Sequence, residues 1–260
     1  MVSLYSGTPG SGKSYHAACK IIEWLMQGYD VIANFPINMG YFSRRAEKGG
    51  KLGRFYCIEN SDITPAFLRS FSLSHYEPGT KPACMVVIDE CGVLFNPRNW
   101  QNCDRMGWID FLANHRKYRL EIVLISQTDM MIDKQIRPLI EKEYRHRNIR
   151  NHRFFGLLLH LLTGGLFVSL EFWYGPKLKN STEFIHLNKR KANIYNTLKF
   201  FDANPADPQE EPIDFDRYVI LPPVRLCKRK KAKKGKRGRG RRNGALKRAQ
   251  GATHAARRGA

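Results

Sequence analysis

Leu4-Tyr5-Ser6-Gly7-Thr8-Pro9-Gly10-Ser11-Gly12-Lys13-Ser14 is the stretch that decides the fold, because Gly7 to Ser14 matches the phosphate-loop pattern G-x-x-x-x-G-K-[ST] at every fixed position. The apolar residues Met1 to Tyr5 predict a strand before this loop, and the periodicity of Lys13 to Gln27 predicts a helix after it. This order places the positive end of a helix against a bound anion. The sequence therefore predicts an α/β P-loop NTPase fold, with a mostly parallel sheet flanked by helices.

The residue types of the phosphate loop indicate how it would bind a nucleotide. Its glycines let backbone N–H groups approach phosphate oxygens without Cβ clashes. We expect the Lys13 ammonium to reach the β- and γ-phosphates and the Ser14 hydroxyl to ligate Mg²⁺, so the predicted cofactors are ATP and Mg²⁺. The predicted phosphate-binding residues are Gly7, Thr8, Pro9, Gly10, Ser11, Gly12, Lys13 and Ser14.

A second stretch supplies two adjacent carboxylates. Ala83 to Ile88 is continuously apolar, as in a parallel strand buried on both faces, and it ends in Asp89-Glu90. This pattern is typical of a Walker B motif, although alone it also fits a strand that enters a polar loop. We assign Asp89 to holding Mg²⁺ through water, and Glu90 to polarising the attacking water as the catalytic carboxylate.

Two further polar residues are candidates for the site. Gln127 follows the strand predicted over Leu120 to Ile125, where a polar side chain can sense the γ-phosphate, but a solvated strand end fits equally well. Arg116 ends the helix predicted from Asp104, and it could serve a neighbouring subunit as an arginine finger. The reading that we favour for Arg116 is a basic residue that complements the dipole at a helix C-terminus.

The net charge of +21 is concentrated at one end of the chain. From Cys227 onward there are fifteen Lys and Arg residues and no acidic residue, so the rest of the chain carries only +6. We expect residues 227–260 to be a disordered basic tail. Single-stranded DNA is the partner that we favour, because neutralising a nucleic-acid backbone needs no fixed geometry and the tail has no aromatic residue for reading bases. An anionic leaflet and a purely solubilising role are the alternatives.

The cysteines and the N-terminus bear on the compartment. The six cysteines contain no C-x-x-C pair and are spread through apolar segments, which argues against a zinc site or a disulfide framework. No basic-then-apolar leader precedes the phosphate loop. We therefore expect a reducing environment for the catalytic part, and no secretion through a cleaved signal.

The chain divides into four predicted parts. They are a P-loop ATPase domain over residues 1–150, an appended β-containing segment over 151–202, a linker rich in Pro and acidic residues over 203–226, and the tail. Phe154 to Leu170 carries no formal charge, but its length is at the lower limit for a membrane span. A hairpin turning at Gly164-Gly165, with alternation from residue 166 to 174, is the reading that we favour. Docking of this segment on the ATPase sheet is then expected.

The phosphate loop, Val87-Ile88-Asp89-Glu90, His115-Arg116 and Glu121 to Gln127 together resemble the N-terminal domain of the zonular occludens toxin family. That domain is shared with the gene I morphogenesis protein of filamentous bacteriophages, and the resemblance covers roughly Met1 to Arg137. It implies a P-loop ATPase that powers phage assembly and export of single-stranded DNA at the host inner membrane. It also implies that the chain is associated with the cytoplasmic face of this membrane, either peripherally or through a single membrane span. Membrane assembly proteins and further copies of the chain, in a homo-oligomer, are then the expected partners.

A function from another class fits the same motifs. The chain could be a non-hydrolysing adaptor that keeps nucleotide as a structural ligand and tethers DNA to a membrane assembly complex. The toxin activity of some family members belongs to a C-terminal extracellular segment, which nothing in this tail resembles. The resemblance therefore does not carry toxin activity over to this chain.

Overall fold

The computed structural model describes residues 1–77, 79, 81–98, 104–149, 165–195 and 215–223. Within these ranges eight strands form one sheet, in the spatial order β3-β2-β4-β5-β1-β6-β7-β8. Strands β1 to β6 pair in parallel, and β7 and β8 join as antiparallel strands. The strands are β1 Val2–Ser6, β2 Asp30–Ala33, β3 Phe55–Cys57, β4 Cys84–Ile88, β5 Leu120–Ile125, β6 Lys142–Asn148, β7 Leu166–Trp173 and β8 Lys179–His186.

Helices cover both faces of this sheet. Ile21, Ile22 and Leu25 of α1 pack with one face, whereas α3 and α5 pack on the other. The helices of the described part are α1 Lys13–Gln27, α2 Ser43–Glu47, α3 Pro65–His75, α4 Cys91–Leu94, α5 Arg105–Asn114 and α6 Lys189–Ala192. The predicted α/β fold with a mostly parallel sheet is therefore confirmed.

Three strands in the middle of the sheet position the site. Strand β5 lies between β1 and β4, with Leu4 opposite Leu124 and Ile88 opposite the same Leu124. All three strands run in one direction, so their carboxyl ends meet at one edge. The phosphate loop, Asp89-Glu90 and Gln127 follow these ends directly. The order of the strands thus brings together segments that are far apart in the sequence.

Strand β6 is a central strand that the sequence did not reveal. Its residues, Lys-Glu-Tyr-Arg-His-Arg-Asn, are mostly polar, yet they pair with β1 on one side and β7 on the other. Two of its buried side chains are polar, Glu143 and His146, and they are satisfied by Ser6 and His16 respectively. Because polar partners replace apolar packing at these positions, hydrophobic alternation gives no signal there.

The alternating residues after Gly165 form a strand, as their alternation predicts, whereas the residues that would form the other strand of the predicted hairpin lie outside the described ranges. Strand β7 pairs with β6, and β8 pairs with β7, so this segment docks by extending the edge of the ATPase sheet. Residues 166–170 of the candidate membrane span are therefore strand residues, and residues 154–164 lie outside the described ranges. No helix in the described ranges combines the length and the hydropathy that crossing a bilayer requires.

The structure differs from the predicted linker over residues 203–226. Phe215–Tyr218 is a 3₁₀-helix, and the segment that follows it covers the free edge of β3. The Ile220 N–H donates to the Phe55 carbonyl at 2.9 Å, and the Tyr218 hydroxyl lies 3.2 Å from an Asp62 carboxylate oxygen. Residues 215–223 are thus packed on the sheet. The predicted tail, residues 227–260, lies outside the described ranges.

Candidate nucleotide site

The phosphate loop has the backbone that phosphate binding requires. Gly7, Gly10 and Gly12 have φ angles of 141°, 73° and 95°, a region that residues with a Cβ rarely adopt. Gly12 immediately precedes α1, so the free N–H groups of the first helical turn lie at the mouth of the loop. A Cβ on Gly7 would lie 2.5 Å from the His146 carbonyl oxygen. The loop therefore needs glycine both for its conformation and for its approach to β6.

Lys13 places its charge over this loop. Its ammonium donates to the carbonyl oxygens of Gly7, at 2.7 Å, and Thr8, at 3.1 Å. Burial lowers the pKa of Lys13, and the nearby Asp89 carboxylate acts in the opposite direction. The side chain is half-buried, and its ammonium group lies against the backbone of the phosphate loop. This is the position from which an ammonium can pair with a bound phosphate.

Ser14 and Asp89, 75 residues apart in the sequence, meet at the carboxyl edge. The Ser14 hydroxyl lies 3.4 Å from Asp89 Oδ2. A hydroxyl and a carboxylate are oxygen ligands of the kind that Mg²⁺ binds, usually together with substrate phosphates and water. The described residues contain no group of three His, Cys, Asp or Glu side chains that could hold a metal alone. The two side chains therefore fit a Mg²⁺ ion that is also bound by the phosphates of a nucleotide, rather than a metal ion held by protein side chains alone.

Asn34 fixes the backbone of Asp89 from the neighbouring strand. The Asp89 N–H donates to Asn34 Oδ1 at 2.7 Å, and Asn34 Nδ2 donates to the Asp89 carbonyl at 2.8 Å. Asn34 is buried, and its amide also donates to Asn60 Oδ1 at 2.7 Å. Asn34 is not among the site residues that the sequence predicts. A signal was present, because Asn34 directly follows β2, which pairs with the strand that ends before Asp89, just as Gln127 follows β5.

Glu90 has an unusual backbone conformation. Its φ and ψ are 48° and 40°, in the left-handed region, which costs a residue with a Cβ roughly 1–2 kcal/mol. The Glu90 carbonyl accepts from the Val93 N–H at 2.9 Å, which begins α4. The side chain is exposed and borders the cavity at the loop. A strained acidic residue at this place is consistent with selection for its carboxylate.

One cavity of about 370 Å³ brings most of the predicted residues together. It is bordered by Lys13 and Ser14 from α1 and by Gln127 after β5. The Gln127 carbonyl also accepts from the Gly7 N–H at 3.1 Å, so the phosphate loop and the β5 end are directly joined. The predicted residues that line the cavity are Pro9, Gly10, Lys13, Ser14, Asp89, Glu90 and Gln127.

Arg116 is not brought to this cavity within the chain. Its guanidinium pairs with the Glu141 carboxylate at 2.5 Å, and the same carboxylate accepts from the Val2 N–H at 3.2 Å. Glu141 precedes β6 and Val2 begins β1, so Arg116 lies at the opposite edge of the sheet from the phosphate loop. A role for Arg116 towards a neighbouring subunit stays a prediction.

Two buried histidines lie behind the phosphate loop. His16 Nδ1 of α1 is 2.8 Å from His146 Nε2 of β6, and His146 Nδ1 is 3.3 Å from the Ser6 carbonyl oxygen. Because a carbonyl only accepts, His146 carries its proton on Nδ1 and the His16 Nδ1–H donates to His146 Nε2. Burial is the main cause that lowers the pKa of His16 to about 2 and that of His146 to about 4. The exposed Glu183 carboxylate, 3.6 Å from His16 Nε2, does not offset this burial.

Acid is therefore expected to destabilise the fold. An unfolded histidine takes up a proton below about pH 6.5, and these two cannot do so until the pH approaches their lowered pKa values. Their contribution to the free energy of unfolding is complete above pH 6.5, and it is lost as the pH falls towards 4 for His146 and towards 2 for His16. At pH 5 we expect a loss of roughly 2 kcal/mol for each histidine. Urea unfolding at pH 7.5 and pH 5 measures this loss.

A matched pair of variants identifies the histidines responsible. His16→Gln should reduce the difference in stability between the two pH values, whereas His186→Gln, at an exposed position on β8, should leave it unchanged. If His16→Gln and the wild type lost equal stability on acidification, the neutral buried pair would not be the cause.

The sequence of this chain matches a known protein family and the Gene 1 proteins of several phages. The model of a family described as zonular occludens toxin (Zot) matches residues 1–154. The Gene 1 protein of Enterobacteria phage I2-2 is 28% identical over 215 residues, covering 78% of this chain and 58% of that protein. The Gene 1 protein of Enterobacteria phage M13 is 26% identical over 217 residues, covering 78% and 61%. The chain thus spans about three fifths of the length of these relatives.

Two solved structures are similar to this chain at lower sequence identity. The N-terminal domain of zonular occludens toxin from Neisseria meningitidis aligns with a TM-score of 0.46 and 15% identity, over 75% of this chain and 98% of that one. The genome packaging NTPase B204 from Sulfolobus turreted icosahedral virus 2, in complex with ATP-gammaS, aligns with a TM-score of 0.45 and 13% identity, over 72% and 96%.

Proposed function

The chain belongs to the zonular occludens toxin family, and we propose that it is a P-loop ATPase that powers filamentous phage assembly and the export of single-stranded DNA at the host inner membrane. The observation that carries the ATPase assignment is the convergence of Lys13, Ser14, Asp89, Glu90 and Gln127 on one cavity. Its relatives among the Gene 1 proteins of bacteriophages support the role in phage assembly.

Binding of ATP is assigned to the phosphate loop. The N–H groups at the start of α1 and the Lys13 ammonium bind the phosphates, and the positive end of the helix adds to their attraction. Ser14 and Asp89 would hold Mg²⁺, and the ion would supply positive charge against the phosphates. Asn34 keeps the Asp89 backbone in place through two hydrogen bonds.

Hydrolysis is assigned to two further side chains that line the cavity, Glu90 and Gln127. The Glu90 carboxylate accepts a hydrogen bond from the attacking water and withdraws its proton. Gln127 follows the strand between the phosphate loop and Asp89, where its amide can contact the γ-phosphate oxygens. The left-handed backbone of Glu90 supports this assignment, because costly backbone conformations cluster at functional residues.

Steady-state release of phosphate from ATP by the full chain tests the enzymatic part of the proposal. We expect turnover that depends on Mg²⁺ and that single-stranded DNA stimulates. The runner-up, an adaptor that only binds nucleotide, predicts no turnover with or without DNA.

The proposed partners are single-stranded phage DNA, other copies of the chain and the host inner membrane with its assembly proteins. The membrane location is the cytoplasmic face. The tail contains fifteen basic residues and no acidic residue, and this excess of positive charge is the reason that we propose DNA as a partner.

Removal of residues 227–260 is expected to leave ATP binding unchanged and to weaken DNA binding. Each phosphate that is neutralised on a single strand contributes roughly −0.7 to the slope of log K against log salt. If six to eight of the tail charges engage, the intact chain should show a slope of about −4 to −6. The truncated chain should show a much smaller slope. Fluorescence anisotropy with labelled single-stranded DNA at several salt concentrations measures both.

A length-matched control separates the effect of the basic side chains from the effect of the length of the tail. A full-length variant with every Lys and Arg after Cys227 replaced by Gln should behave like the truncated chain. Equal slopes for intact and truncated chains, together with lost binding of the truncated chain to anionic vesicles, would assign the tail to lipid instead.

A further inference from the structure

A segment after the appended strands returns to the nucleotide site. It begins at His186, whose carbonyl accepts a hydrogen bond from the hydroxyl of Tyr15, the residue after Ser14, at 2.8 Å. The same hydroxyl accepts from the Asn188 N–H at 2.8 Å. The Tyr15 hydroxyl, in the first turn of α1, thus acts as a donor to the end of β8 and as an acceptor for the residue that precedes α6.

The other end of this segment is held beside β2. The Asn38 N–H donates to the Ile194 carbonyl at 2.9 Å, and Ile37 and Tyr195 form an antiparallel bridge. Ile194 is buried, and the Tyr195 ring packs edge-on against Phe35 with centroids 4.7 Å apart. Residues 186–195, which we term the strap, are therefore fixed at both ends across one side of the site.

The strap delivers the Tyr195 hydroxyl to the carboxylate assigned to the metal. Tyr195 donates to Asp89 Oδ2 at 2.5 Å, the same oxygen that lies 3.4 Å from the Ser14 hydroxyl. The other oxygen, Oδ1, accepts from the Glu90 N–H at 2.8 Å.

The hydrogen-bonding capacity of Asp89 is then almost filled. Its two oxygens offer about four acceptor positions, and Tyr195, Ser14 and the Glu90 N–H occupy three of them. The carboxylate is held in one rotamer, with a single acceptor position left for a metal-bound water. Mutation of a donor that orients a group at a metal site typically costs 10–100-fold in metal affinity.

We propose that Tyr195 is a positioning residue of the Mg²⁺ site, which acts by fixing the Asp89 carboxylate. This inference rests on the proposed function, because it assumes that Asp89 serves a nucleotide-bound metal. Tyr195 needs no contact with the nucleotide for this role. Packing alone does not require tyrosine, since a phenylalanine ring would lie against Phe35 equally well. The hydroxyl is the part of the side chain that the proposal needs.

Tyr195→Phe tests the proposal, because it removes the hydroxyl and keeps the ring. With the full-length chain and a fluorescent ATP analogue, we expect the Mg²⁺ concentration that half-saturates nucleotide binding to rise about tenfold. Nucleotide affinity in EDTA should stay unchanged. Tyr218→Phe is the matched control, since it removes a tyrosine hydroxyl bonded to Asp62 at the far edge of the sheet. This control should show the wild-type Mg²⁺ requirement.

A double-mutant cycle places the effect at Asp89. In an Asp89→Asn background, Tyr195→Phe should add little further change to the Mg²⁺ requirement. An unchanged Mg²⁺ requirement in Tyr195→Phe would reduce Tyr195 to a packing residue, and a lower requirement would show that it competes with the metal; either outcome overturns the proposal. A wild-type chain that bound nucleotide without any Mg²⁺ dependence would instead contradict the proposed function itself.

Discussion

Lys13→Ala is expected to abolish tight ATP binding and all turnover that depends on it. Lys13 is the one basic residue among the described residues that line the cavity, where it stands opposite Asp89 and Glu90. Its removal leaves a polyphosphate facing two carboxylates without a fixed cation. A unit charge pair at 4 Å and an effective dielectric constant near 20 is worth about 4 kcal/mol, or roughly a thousandfold in affinity. Titration calorimetry with a slowly hydrolysed ATP analogue measures the loss.

Lys20→Ala is the matched control for this variant. Lys20 lies on the same helix, but it is partly exposed and pairs with Glu23 at 3.3 Å. Its replacement should leave ATP affinity within a small factor of the wild type. Wild-type affinity in Lys13→Ala would show that the phosphates are bound elsewhere.

Glu90→Gln is expected to remove turnover while leaving nucleotide binding largely intact. The substitution keeps the size of the side chain and removes the base that takes a proton from water, a function typically worth 10²–10⁴-fold in rate. Asp89→Asn should behave differently, because Asp89 contacts Ser14 rather than the attacking water. Its main effect should be a higher Mg²⁺ requirement for binding. Parallel measurements of phosphate release and of nucleotide affinity against Mg²⁺ compare the two variants.

The division of roles between these carboxylates is open to direct contradiction. Equal losses of nucleotide affinity in Glu90→Gln and Asp89→Asn would mean that both hold the metal. Full turnover in Glu90→Gln would move the catalytic base to another residue.

Local sequence was sufficient for the centre of the fold. The phosphate loop joins a strand and a helix that adjoin it in sequence, and α1 has the bounds that its periodicity predicts, ending at Gly28 with a φ of 85°. The apolar runs of β4 and β5 predict buried parallel strands, because both of their faces are covered. The same locality made Lys13, Ser14 and the Asp89-Glu90 pair predictable as site residues.

The remaining parts of the site depend on contacts between distant residues. Tyr195 lies 106 positions from Asp89, and no local pattern connects a tyrosine in a polar stretch with that carboxylate. Strand β6 was missed because its buried positions are polar and are paired with Ser6 and His16. Hydrophobic periodicity detects burial among apolar groups, and it cannot detect burial among hydrogen-bonded ones.

We assign ATP hydrolysis to the cavity at the phosphate loop. A single-turnover experiment tests this assignment: full-length chain in excess over radiolabelled ATP is mixed with Mg²⁺ and single-stranded DNA, and release of the γ-phosphate is followed. We expect complete conversion of bound ATP to ADP in the wild type, and ATP that stays bound and uncleaved in Glu90→Gln. Bound ATP that stays intact in the wild type as well would refute the assignment and would leave the nucleotide as a structural ligand.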